Sequence, residues 1–250
     1  AMMVFTSIYG VVDGLFVSNF VGKEPFAAIN LIMPILMITG AFGFMMGTGG
    51  TAIVAKTLGE GDRRRANEYF SFIVYITIAV GVAMSALGII LMPSLSRLLG
   101  AEGKTLEYCI SYGRIVLLAL PFFMLENLFQ SFFIAAEKPK LGLYTNIVAG
   151  IMNMVLDALF VAVLDLGLEG AALATAISQL FGGVIPIIYF ARKNDSLLRL
   201  TRTGFNGKVL LKSMTNGSSE LMSNISSSIV TVFYNYQLLK FAAEDGVAAY

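Results

Sequence analysis

An all-α, polytopic membrane fold is what this sequence predicts, and three observations predict it. The 250 residues are 57% hydrophobic and only 13% charged, with a mean hydropathy of +0.78. A water-soluble domain of this size could not solvate such a surface, whereas a chain that crosses a bilayer repeatedly needs one. The apolar residues also gather into seven segments separated by polar breaks. Each is long enough for a helix, since ~20 residues at ~1.5 Å rise cross ~30 Å of hydrocarbon. The ~10-residue alternating stretches of a transmembrane β-barrel do not occur.

The segments run over residues 1–21, 27–55, 69–92, 106–136, 141–164, 170–191 and 214–243. Gly22-Lys23-Glu24-Pro25 closes the first. Asp62, ahead of Arg63-Arg64-Arg65, has the chemistry of a helix N-cap, with the arginines as interfacial anchors. Pro34, Pro121 and Pro186 fall inside spans, where a kink is tolerable if a neighbour satisfies the freed carbonyl. Residues 192–213 form a basic, amphipathic linker that suits the inner membrane surface. The chain opens inside one apolar segment and stops just after another, which reads as part of a longer protein. The expected organisation is a six-helix lobe over 1–191, a linker over 192–213, and the first helix of a second lobe over 214–250.

Basic residues sit on alternate loops. Lys56, Arg63, Arg64, Arg65, Lys138, Lys140, Arg192, Lys193, Arg199, Arg202, Lys208 and Lys212 share one side, against Lys23, Arg97 and Lys104 on the other. The positive-inside rule then puts loop 56–67 and linker 192–213 in the cytoplasm. Arg114, near the outer end of the fourth span, reads as a snorkelling side chain. There is no histidine and one cysteine, Cys109, so zinc, haem, an intramolecular disulfide and Ser-His-Asp chemistry lack their groups. An enzyme is the weakest reading, no cofactor is implied, and a net charge of +1 gives no argument for a nucleic-acid partner.

Asp157 is the most informative residue. A carboxylate in the middle of a span persists where it faces a cavity or binds something. Asn153 lies one helical turn away on the same face. Counting residues from the outer ends of their spans, Asp13, Asp157 and Thr175 lie roughly 10–14 Å below the external interface. Each belongs to a stripe: Thr6, Tyr9 and Asp13; Asn146, Gly150, Asn153 and Asp157; Ala171, Thr175, Ser178 and Gly182. Carboxylates, a carboxamide and a hydroxyl at one depth offer oxygen ligands for Na⁺. Paired carboxylates can equally hold a transportable proton. Taken singly, Asn153 and Thr175 read as interhelical hydrogen-bonding glue.

Further candidates for a substrate cavity are Tyr9, Glu126 with Gln130 one turn on, and Glu220 with Ser223 and Ser227 on the seventh span. Glu126 could attract cationic compounds or relay protons, or simply make an interhelical contact. Thirteen methionines and nineteen phenylalanines suit a pliable apolar cavity. No metal site is expected beyond Na⁺ at Asp13, Asn153, Asp157 and Thr175.

Val12-Asp13-Gly14-Leu15-Phe16-Val17 with Gly22, Gly59-Glu60-Gly61-Asp62 with Ala66, Glu137-Lys138-Pro139, residues 153–160 and Gly170-Ala171-Ala172-Leu173-Ala174-Thr175 together resemble the multidrug and toxic compound extrusion (MATE) transporters, in their bacterial multidrug branch. That family commonly has proline where this chain has Ala158. The resemblance implies a twelve-helix, two-lobe transporter, of which this chain would be the first lobe and seventh helix. It also implies that Asp13, Asn153, Asp157 and Thr175 form the cation or proton site. The function expected is H⁺- or Na⁺-coupled antiport exporting amphipathic, often cationic drugs from a monomer in the lipid bilayer. A lipid-linked saccharide flippase of the same superfamily and a non-transporting seven-helix scaffold or receptor are the alternatives. Cationic cavities suit the flippase, and this lobe offers acids instead.

Overall fold

The computed structural model describes residues 21–249, and among these no strand occurs. The order is α1 (Lys23–Gly59), α2 (Arg63–Leu98), α3 (Gly103–Leu118), α4 (Leu120–Ala135), α5 (Pro139–Asp157), a π-helical segment (Ala158–Val163), α6 (Gly167–Ala191) and α7 (Gly207–Ala249). The predicted first span lies outside the described residues except for Val21. Four of these helices are long and apolar enough to cross a membrane, or five spans if the bent pair α3–α4 counts as one. The helix α7 has the length but is too polar to be among them.

Local chemistry sets the boundaries. Asp62 caps α2 as expected, its Oδ1 accepting from the Arg65 amide at 2.9 Å. Gly61 supplies the positive φ of 84° in the turn before it, a conformation that glycine adopts without strain. The fourth predicted span is two helices bent by 53°. The cause is Pro121, which has no N–H to give the carbonyl of Leu117. Ser85 of α2 donates to that carbonyl instead, at 2.6 Å. A neighbouring span thus repairs the proline break, as the bilayer requires.

The helices meet through small residues and aromatic rings. Gly43 and Gly47 of α1 abut the backbone of Met124 and Leu128 in α4, and Gly81 of α2 abuts Pro121. Close approach of this kind replaces the hydrophobic driving force that lipid does not supply. Towards the α1–α2 turn, Phe70, Phe132 and Phe190 pack edge to face at 4.9 and 5.0 Å, tying α2, α4 and α6 together.

Residues 192–206 are irregular and fastened to α2. Arg63 donates to the carbonyls of Ser196 (2.7 Å) and Leu197 (3.1 Å). Asn67 Oδ1 accepts from the Arg199 amide, and Ser71 Oγ from that of Thr201. Leu198 is fully buried among core side chains, a burial that contributes roughly 1.5–3 kcal/mol. The chain then turns into α7, which lies antiparallel along α1. Gly49 faces the backbone of Ser213 and Gly217 at one end. At the other, Asn235 Nδ2 donates to the Asn30 carbonyl at 2.9 Å.

Candidate functional site: a buried polar face on α5 and α6

A stripe spaced at three and four residues brings Asn146, Asn153 and Asp157 to one face of α5. All three are buried, Asp157 completely. The pattern survives folding because the helix stays α-helical through Asp157 and only then widens into the π segment. That change begins at Ala158, whose amide is shared between the carbonyls of Met154 and Val155. The Leu164 amide reaches back to Leu159, and that of Leu166 to Phe160, both at 2.9 Å. A π turn takes up one extra residue and re-aims the side chains around it. Here it sits directly beside the buried carboxyl.

Across the turn, α6 runs back antiparallel to α5. Gly170 lies against Phe160, so a Cβ there would stand 3.1 Å from the Phe160 carbonyl. Thr175 is five residues further on, or ~7.5 Å, which places it level with the stretch between Asn153 and Asp157. Asp157 and Thr175 therefore stand at neighbouring levels of this hairpin. Thr175 is half-buried, and its carbonyl accepts from Ser178 Oγ at 2.8 Å. Asp13 and Tyr9 lie outside the described residues.

The remaining candidates fall in two places. Glu126 and Gln130 of α4 join Thr145 and Asn146 of α5 and Gly182 and Pro186 of α6 around a cavity of about 10 Å³. Glu220 is half-buried on α7, and Ser223 and Ser227 are exposed there. They lie on the helix that packs along α1, apart from the α4–α5–α6 cavity. Among the described residues, no group of three or more His, Cys, Asp or Glu stands ready to hold a metal ion.

Residue-by-residue reading of the sequence passes over Gln179. It is one turn beyond Thr175 on α6, and its Oε1 is buried without a hydrogen-bond partner. The signal was available: Thr175, Gln179, Gly182 and Pro186 share a face at helical spacing.

Comparison with known proteins follows the same outline. A family model described as MatE matches residues 1–159. The multidrug export protein MepA of Staphylococcus haemolyticus is 32% identical over 190 residues, which is 76% of this chain and 42% of that protein. An inward-facing structure of a multidrug resistance MATE family transporter of the MOP superfamily superposes with a TM-score of 0.91 at 25% identity, covering 97% of this chain and 55% of that one. An outward-facing structure described in the same words gives 0.88, covering 99% and 55%. The chain thus spans about half the length, or less, of the proteins it matches.

Proposed function

Because the chain belongs to the MATE family, we propose that it forms the first lobe and seventh helix of a cation-coupled multidrug efflux antiporter. The observation that carries the reading is Asp157. It is a fully buried carboxyl within an apolar span, one turn from a buried asparagine and level with Thr175. A group of this kind inside a membrane binds or relays something charged.

In this reading the hairpin of α5 and α6, together with Asp13, loads H⁺ or Na⁺ from outside. Loading shifts the balance between two arrangements of the lobes, because the ion binds one arrangement better than the other. Export of drugs by MepA supports amphipathic, often cationic small molecules as substrates, and the acidic residues of this lobe agree with that charge. The arginine-rich turn between α1 and α2 and the linker before α7 face the cytoplasm of a bacterial membrane, on the positive-inside rule.

The test is ethidium transport by the complete protein in proteoliposomes under imposed H⁺ or Na⁺ gradients, for wild type and Asp157→Asn. Gradient-driven transport that falls at least about tenfold on substitution, an ordinary coupling magnitude, establishes antiport and names the ion. Folded wild type that moves no ethidium under either gradient points to the flippase instead. Transport unchanged in Asp157→Asn removes Asp157 from the coupling site.

A further inference from the structure

Glu126 stands apart from the Asp157 layer. Its carboxyl lies against Gly182 of α6, so close that a Cβ there would meet Cδ at 2.8 Å and Oε2 at 2.9 Å. Gly182 is seven residues beyond Thr175, or ~10 Å towards the α4–α5 turn. On the opposite wall, Asn146 belongs to the same α5 stripe as Asn153 and Asp157. Glu126 is therefore a second acidic position on this polar face, with Asn146 in its own cavity and Gln179 on the α6 side between it and the first.

Three observations define what this position can hold. The cavity is about 10 Å³, close to the minimum for one water molecule and far below any organic cation. Apart from Glu126, the described residues that line it, Gln130, Thr145, Asn146, Gly182 and Pro186 among them, carry no charge. The helices α1 and α2 meet the other face of α4, at Met124, Leu128 and Pro121, and bring no charged group to the cavity. Finally, Pro186 has no N–H, so the carbonyl of Gly182, four residues earlier, lacks its usual helical donor. A carboxylic acid can supply that donor, and a carboxylate cannot.

We infer that Glu126 is a second, inner proton-binding residue, which takes up a proton beside Gly182 and exchanges it by way of Gln179 with the Asn153–Asp157 layer. The inference rests on the coupled-antiport reading and adds a site to it. The proton is carried by the single water the cavity admits and by the carboxyl itself; the amides orient them. Drug does not enter here. Gln179, with its unpaired buried Oε1, is a positioning residue that accepts a hydrogen bond when a water passes.

The experiment uses the complete protein in proteoliposomes, comparing wild type, Asp157→Asn, Glu126→Gln and Glu126→Asp. Gradient-driven ethidium transport and its pH profile are measured beside gradient-independent ethidium exchange, with infrared difference spectra across a pH titration. Glu126→Gln is expected to lower gradient-driven transport about tenfold, within usual coupling magnitudes, and to flatten the pH profile while exchange persists. It should also remove a protonated-carboxyl band that Glu126→Asp shifts and retains. Were Glu126→Gln not to fold, the shift of that band in Glu126→Asp decides the matter. An unchanged pH profile and carboxyl band in Glu126→Gln, with Asp157→Asn inactive, overturns this inference and leaves coupling intact. Gradient-driven transport left unchanged by Asp157→Asn sinks the coupling reading itself. A Glu126→Gln defect that follows Na⁺ instead of pH, or one confined to ethidium affinity, also overturns it.

Discussion

Gly217 shows how much one atom matters where two helices touch by backbone. A Cβ there would collide with the carbonyl of Met45, and one on Gly49 would collide with the carbonyl of Ser213. Neither obstacle is a flexible side-chain end, so the helices must separate. Gly217→Ala should therefore destabilise the complete protein by ~1–3 kcal/mol, the usual range for overpacking. Gly59 has nothing within 4 Å, and Gly59→Ala should be neutral or stabilising by up to ~1 kcal/mol through helix propensity. Thermal unfolding in detergent separates the two cases, and equal melting temperatures would refute the contact. The same scale explains Glu126: a carboxyl seated on Gly182 fits only because that position has no side chain.

Proline decides the behaviour of whole elements. The carbonyl that Pro121 frees at Leu117 is taken by Ser85, and the one that Pro34 frees at Asn30 is taken by Asn235. In both cases the freed carbonyl gains a bond to a neighbouring helix, and at Pro121 the 53° bend and the packing are one feature. Ser85→Ala should cost ~1–3 kcal/mol, the penalty of an unpaired buried carbonyl. In a Pro121→Ala background the alanine N–H can reach Leu117 O, and the same Ser85→Ala change should then cost under ~0.5 kcal/mol. A double-mutant cycle on unfolding free energy checks the difference; additive effects would mean that Ser85 acts elsewhere. The π segment after Asp157 is the other element-scale feature. Alanine at 158, where the family commonly has proline, leaves an N–H in place, and that amide is shared between two carbonyls.

Across the whole molecule, the joint between α6 and α7 is held firmly. The linker is pinned to α2 by Arg63, Asn67 and Ser71, and Leu198 is driven into the core. Any motion of α7 relative to α1 must then pivot near Gly207 instead of unrolling the linker. Asn67→Ala should speed hydrogen exchange at the Arg199 amide at least about tenfold, since a protecting bond worth ~1–1.5 kcal/mol is removed. Exchange at Leu210, bonded within the start of α7, should stay unchanged. Equal acceleration at both would show that linker and helix open together.

The amino-acid sequence alone determined the membrane class, the helical character of the described segments, the Asp62 cap and the stripe of Asn146, Asn153 and Asp157. Those are properties of composition and of a 3.6-residue period, both local in the chain. It also brought Asp157 and Thr175 to neighbouring levels of one hairpin, because two helices joined by a short turn share a common origin for counting. Tertiary structure decided the rest. The bend at Pro121 depends on a serine in another helix, and the π turn depends on which carbonyls the Ala158 amide can reach. The place of Glu126 depends on a glycine in α6, more than fifty residues away in the chain. Residue 179 became notable only once its buried oxygen was seen to lack a donor. Periodicity says which residues share a face, and only packing says what that face meets.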